Sequence, residues 1–168
     1  ASALKERLPE LWDPSLRLMN EFGRAIHAHC GWSVSRVEYV KTLGTGRLAT
    51  LHLGADLLLR RVYRPQDWHY EFAVLDPNGV PKPEEDLRPI TLGGPLCFSG
   101  DILARESLLP PVEPGDLVLY RDVGAYTLSM WSRYCSRPMP GVIGHTKEAT
   151  TVLQAPETSE DLVAFWGM

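Results

Sequence analysis

Glu71-Phe72-Ala73-Val74-Leu75-Asp76-Pro77-Asn78-Gly79 reads as a strand that ends in a tight turn. Pro presets φ for a turn, and Gly accepts the positive φ that other residues avoid. The same punctuation recurs at Glu113-Pro114-Gly115-Asp116, which turns the chain into a strand at 117–121. Upstream, 33–41 alternates imperfectly, with Val34, Val37, Tyr39 and Val40 set against Ser35, Arg36 and Glu38. Gly44-Thr45-Gly46 then turns the chain into 48–53. Further short strands are predicted at 90–92, 126–131, 141–145 and 150–153, while the Pro-rich acidic stretch 80–89 reads as a solvated loop. Short strands with Gly/Pro turns at this spacing predict an antiparallel β-barrel or sandwich.

The flanks differ in character. Leu4, Leu8, Leu11 and Trp12 recur at helical spacing up to Pro14. Leu16-Arg17-Leu18-Met19 suits a buried strand. It leads through Glu21-Phe22-Gly23-Arg24 into a short helix at 25–30 closed by Gly31, which makes one β/α unit. The tail, 157–166, is predicted helical, with an acidic first turn that suits the positive end of the helix dipole. The expected fold is therefore mainly β with flanking helices. A β/α remnant at 1–31 precedes an antiparallel β-domain with a terminal helix at 32–168. A lone β/α unit cannot close a barrel.

The 168 residues are 44% hydrophobic and 23% charged, the composition of an ordinary soluble globular chain. Seventeen Lys and Arg against twenty-one Asp and Glu give a net charge of -4, so the basic footprint of a nucleic-acid binder is missing. No apolar run approaches the roughly 20 residues that span a bilayer, and the first residues form no secretory signal. The chain starts without Met, which fits the removal of upstream sequence. Cys30, Cys97 and Cys135 make an odd count without a Cys-x-x-Cys pair. Free thiols in a reducing compartment, the cytoplasm, are expected.

Three segments carry residues suited to chemistry. At Glu21-Phe22-Gly23-Arg24, a glycine before a helix lets backbone N–H groups approach an anion, and Arg24 adds a fork of donors. The acid could instead bond a protonated ring nitrogen, and the stretch equally fits a plain turn with two surface charges. Gly94-Pro95-Leu96-Cys97-Phe98-Ser99-Gly100-Asp101 places a thiol in a turn, where it can serve as acid or nucleophile, or simply pack near a strand end. In Gly124-Ala125-Tyr126 the small residues leave room for a ligand beside the phenol, although a rim tyrosine of a sheet fits too. His27 and His29 stand two apart, on different sides of a helix, so no metal site is expected.

Taken in order, these segments resemble the C-terminal part of the fold-type III pyridoxal-phosphate-dependent decarboxylases, the group that includes diaminopimelate, ornithine and arginine decarboxylases. Glu21-x-Gly23-Arg24 resembles the Glu-Pro-Gly-Arg of the last strand of a (β/α)8 barrel. The Cys97 segment resembles Gly-Pro-x-Cys-acid-x-x-Asp. Residues 109–116, Gly124-Ala125-Tyr126 and Ser136-Arg137-Pro138 resemble the stretches that follow, so the likeness spans about 16–166.

The resemblance implies pyridoxal 5′-phosphate as cofactor, an amino acid as substrate and a homodimer with shared sites. It implies that Glu21 meets the pyridinium nitrogen, and that Gly23 and Arg24 hold the cofactor phosphate or a substrate carboxylate. Tyr126 would touch the cofactor, and Cys97 would act from the opposite subunit as proton donor to the carbanion left by CO2. Arg60, Tyr63, Phe98 and Asp101 are the remaining expected substrate contacts.

Two departures qualify these implications. The family's Schiff-base lysine belongs to an early barrel strand, and Lys5, Lys41, Lys82 and Lys147 sit in no matching motif. The chain alone is therefore expected to be inactive without a barrel supplied in cis or in trans. Phe98 replaces the acid that meets the distal ammonium of the substrate in diaminopimelate and ornithine decarboxylases, which points to a substrate without that charge. A non-catalytic dimerisation or binding domain derived from the family is the alternative reading; a racemase of the same fold class matches the motifs less well.

Overall fold

A computed structural model describes residues 2–167. The strands are β1 (Ser33–Leu43), β2 (Gly46–Leu51), β3 (Phe72–Leu75), β4 (Arg88–Gly93), β5 (Ile102–Leu109), β6 (Leu117–Tyr120), β7 (Val142–His145) and β8 (Thr150–Gln154). The first six form one sheet in the order β3-β6-β1-β2-β4-β5, and β7 pairs with β8 in a separate hairpin. β1 bends the sheet. Ser33–Arg36 pair with β6, whereas the residues from Val37 onward pair with β2 across a bulge between Val37 and Tyr39. A bulge kinks and twists a strand, so a single long strand serves two halves of a curled sheet.

The mainly β architecture agrees with the sequence reading, with one difference in pairing. β2 and β4 run parallel, Leu48 opposite Thr91 and Thr50 opposite Gly93. Parallel neighbours need a crossover. The chain between them supplies it, carrying α3 (Leu59–Tyr63) and β3. All six strands of the sheet contribute to one buried cluster, including Val37, Leu51, Val74, Leu92, Leu103 and Val118. Tyr120 is fully buried, edge-on to Phe72 at 5.0 Å and to Tyr70 at 6.4 Å. Burial pushes both the Tyr70 and the Tyr120 phenols up from their ordinary range. The Pro-rich loop is tied down by Lys82, which donates to Asp116 at 2.5 Å and to the Pro111 carbonyl at 3.0 Å.

The flanks correct two expectations. Residues 16–19 form no strand: Leu16, Leu18 and Met19 are exposed. A strand exists only through ladder bonds to neighbours, and none of the eight strands lies beside this segment. Residues 126–131 form no strand either. Tyr126 adopts φ of +58°, which breaks extended backbone, and a 3-10 turn follows at Leu128–Met130. At the N-terminus α1 (Ser2–Arg7) gives way to a 3-10 turn at Pro9–Trp12. α2 (Arg24–His27) runs into a 3-10 turn at Ala28–Cys30, where the short helix was expected. The tail helix is α4 (Ser159–Phe165), started by a capping box between Thr158 and Asp161. No helix among the described residues is long and apolar enough to cross a membrane.

Candidate functional site

Two glycines bring the first and third sequence segments together. The Val123 N–H donates to the Gly31 carbonyl and the Gly124 N–H to the Ala28 carbonyl, each at 3.0 Å. A methyl group on Gly124 would overlap the His27 carbonyl oxygen, and one on Gly31 would overlap Gly124 itself. Only glycine permits this approach. His29 Nδ1 meets the Asp122 carboxylate at 2.5 Å and closes the seam. Beyond it, a Cβ built on Gly23 would lie 3.5 Å from the Tyr126 hydroxyl, so Gly23 and Tyr126 face each other in contact range.

Around this contact sits a cluster of aromatic rings and guanidinium groups. Trp68 stands edge-on to Tyr126 at 5.8 Å. The Arg24 guanidinium lies 4.7 Å from the Trp68 ring centre. That of Arg60, from α3, lies 5.2 Å from Trp68, 5.0 Å from Tyr126 and 5.7 Å from Tyr63. Two cations thus share one indole, and among the described residues neither has a carboxylate partner. The Nε atoms of both are buried without an acceptor, as is Trp68 Nε1. Buried donors normally find acceptors, and these three have none among the described residues.

The Cys97 loop is fixed from beneath by Asp101. One carboxylate oxygen accepts from the Ala55 N–H at 2.8 Å, the other from the Leu96 N–H at 2.7 Å, and the residue is 4% exposed. Burial holds this carboxyl above its usual range in spite of the two N–H donors. Gly94 packs so close to the carboxylate that a side chain there would overlap it. Above this support Cys97 and Phe98 stand exposed. Phe98 meets Tyr134 edge-on at 5.7 Å, and the sulfurs of Cys97 and Cys135 lie 3.4 Å apart.

The segment carrying Tyr134 and Cys135 rests on the same support. Arg137 donates through Nε to buried Asp56 at 2.7 Å and through Nη2 to the His52 carbonyl at 2.6 Å. The Ser132 N–H bonds the Asp56 carbonyl at 2.9 Å. Asp56 and Ala55 are adjacent, so the two buried carboxylates Asp56 and Asp101 dock both thiol-bearing loops on the 52–57 stretch.

The expected residues therefore fall in two groups: Gly23, Arg24, Arg60, Tyr63 and Tyr126 at the arginine cluster, and Cys97, Phe98 and Asp101 at the loop. Asp101 turns its carboxylate into backbone rather than toward open space. Glu21 is exposed, and among the described residues its side chain makes no hydrogen bond or ion pair. Sequence reasoning reads Trp68, over which both arginines lie, as packing and gives Asp56 no role. A Trp following an Arg-rich stretch was a readable signal; a lone Asp in an apolar run was legible only as a buried charge in need of a partner.

The curled sheet thus displays an exposed thiol at one place and, at another, an arginine pair without a carboxylate partner among the described residues. Residues 25–124 match the family model described as pyridoxal-dependent decarboxylase, C-terminal sheet domain. The chain belongs to that family. Diaminopimelate decarboxylase of Streptomyces coelicolor is 33% identical over 97% of the chain and 38% of its own length. The Helicobacter pylori diaminopimelate decarboxylase is 31% identical over 88% and 35%. A crystal structure of the Helicobacter pylori enzyme complexed with L-lysine superposes with a TM-score of 0.80 at 29% identity, over 95% of this chain and 38% of that one. The chain spans little more than a third of these relatives. The family's cofactor, pyridoxal 5′-phosphate, fits the residues present in charge: two guanidinium groups without a carboxylate partner among the described residues, Arg24 and Arg60, lie over Trp68 near the Tyr126 hydroxyl and Gly23, and suit its phosphate.

Proposed function

We propose that this chain is the C-terminal part of an amino-acid decarboxylase. In this reading 1–31 is the last β/α unit of a barrel and 32–168 the sheet domain. The protein works in the cytoplasm as a homodimer whose sites are shared between subunits. When bound, the cofactor withdraws electrons from the carbon that loses CO2. Arg24 and Arg60 hold anionic oxygens of cofactor or substrate, and Trp68 orients both guanidinium planes. Tyr126, set against Gly23, borders that cluster, Tyr63 flanks Arg60, and Glu21 bonds the ring nitrogen. Cys97, from the other subunit, delivers a proton to the carbon that has lost CO2; a thiol suits this because its ordinary pKa lies closer to neutrality than a hydroxyl's. Asp101 positions the loop that carries Cys97 and Phe98.

The observation that carries the reading is the exposure of the Cys97 sulfur on a loop pinned by a buried carboxylate. Phe98 beside it offers a distal ammonium at most a cation–π contact, so the preferred substrate lacks a distal charge.

The test is CO2 release from a panel of amino acids by the protein joined to, or co-expressed with, a family barrel. This chain alone, whose Lys82 is committed to Asp116, is expected to release none. The assembled protein is expected to favour substrates without a distal amine, and Phe98→Glu to move the preference toward those that carry one. Cys97→Ala is expected to lower turnover by roughly 10²-fold, the ordinary contribution of a positioned acid. Equal turnover of ornithine or diaminopimelate by the unmodified protein would defeat the substrate assignment. No release from any amino acid would leave a dimerisation or binding domain.

A further inference from the structure

We propose that Cys97 and Cys135 form a reversible two-electron redox pair, so that the thiol of the loop is a modification site closed by an intrachain disulfide. The sulfurs lie 3.4 Å apart, against about 2.0 Å in a disulfide, and both are exposed to solutes. They come from loops 38 positions apart in the chain, so their meeting is a property of the fold and not of local sequence.

The backbone around Cys135 is arranged for this meeting. Cys135 and Ser136 are consecutive non-glycine residues with φ of +57° and +53°, a conformation that persists only where neighbours impose it. The Arg137–Asp56 ion pair imposes it on one side, and Asp101 holds the opposite loop. The third thiol is differently engaged: Cys30 donates to the His27 carbonyl at 2.8 Å. Beside Cys97 the Cys135 thiol is held above its ordinary range, as is the Tyr134 phenol that borders both sulfurs.

The oxidant is a hydroperoxide. A Cys97 thiolate attacks the peroxide oxygen and breaks the O–O bond, giving a sulfenic acid and a hydroxide that takes the proton the thiol had lost and leaves as water. The Cys135 sulfur attacks the sulfenic sulfur, and the hydroxyl leaves as a second water with the thiol proton. Two thiols lose two electrons and two protons in total, and a dithiol reductant restores them by exchange. Blocking proton delivery by this bond rests on the reading of Cys97 given above; the bond itself rests on geometry alone.

The experiment exposes the chain to a modest excess of hydrogen peroxide, then counts free thiols and maps peptides by mass spectrometry. Free thiols are expected to fall from three to one, with peptides containing Cys97 and Cys135 joined and a dithiol restoring all three. Cys30→Ser is expected to keep the bond. Cys135→Ser, checked for an unchanged circular dichroism spectrum, is expected to lose it and to accumulate dimedone-reactive sulfenic acid at Cys97. Retention of three thiols, a bond that includes Cys30, or bonds only between chains would overturn the proposal. Failure of Cys97 as proton donor would leave these readouts unmoved, since they count sulfur and not turnover.

Discussion

Gly124 shows how much of the site depends on the absence of a side chain. Its α-carbon sits against the carbonyl of His27, and the N–H groups of Val123 and Gly124 bond the 28–31 turn. Gly124→Ala therefore cannot be accommodated by rotating a side chain; backbone must separate, and Tyr126 moves with it. Such overpacking costs about 1–3 kcal/mol. A lowered thermal midpoint together with weaker phosphate binding at the Arg24–Arg60 cluster is the expected outcome. An alanine variant with an unchanged midpoint would show that the seam opens freely. The residue scale also explains the two kinds of charge in the site. Asp56 and Asp101 are buried and satisfied by Arg137 and by backbone N–H groups, which makes them supports. Arg24 and Arg60 have no carboxylate partner among the described residues, and their Nε atoms are buried without an acceptor.

At the scale of elements, the tail is fastened by one ion pair. Arg133 donates from both terminal nitrogens to the two oxygens of Glu157 at 2.7 Å, and the Met139 N–H adds a bond of 2.7 Å. Arg133 and the Met139 N–H hold this carboxyl below the usual glutamate range. A depressed carboxyl contributes stability that is present above the unfolded-state value and is lost as pH falls through the folded one. Amides of 157–166 are therefore expected to lose protection, measured against the slower intrinsic exchange of acid, as pH falls, while the six-stranded sheet keeps its protection. Glu157→Gln should show that reduced protection already at neutral pH. Equal protection of the tail at both pH values would count against the anchoring.

Which elements were legible follows from the same physics. β3, β6, β7 and β8 sit close to where apolar runs and Gly/Pro turns put them. β5 escaped notice because Arg105 and Glu106 interrupt its apolar pattern at an irregular stretch of the ladder, where Glu106 takes φ of +46°. The 126–131 stretch looked like a strand because aromatic and apolar residues favour strands, yet a positive φ at Tyr126 is a tertiary imposition that no local pattern displays. Of the site, the Cys97 loop and Gly124-Ala125-Tyr126 were readable as motifs. Their division between two clusters was not, since stacking of two arginines on Trp68 depends on a crossover that only the fold creates.

Across the whole molecule, apolar surface is distributed unevenly. The sheet buries its core, whereas Leu16, Leu18, Met19, Phe22 and Ile26 on one segment are all exposed, as are Ile143, Val152 and Leu153 on the β7–β8 hairpin. Contiguous exposed apolar patches on a soluble chain mark contact surfaces. Met19 is 85% exposed, so Met19→Glu removes no folded-state packing and should change stability by no more than about 0.5 kcal/mol. In solution this chain is expected to self-associate and to bind an apolar dye. Met19→Glu should weaken both while leaving the thermal midpoint in place. Joining the chain to a family barrel should suppress dye binding in the same way, because the 16–26 segment then gains strand neighbours. A chain that sediments as a monomer without binding dye would mean that this surface is tolerated bare, and the homodimer proposed above would have to form through the sheet instead.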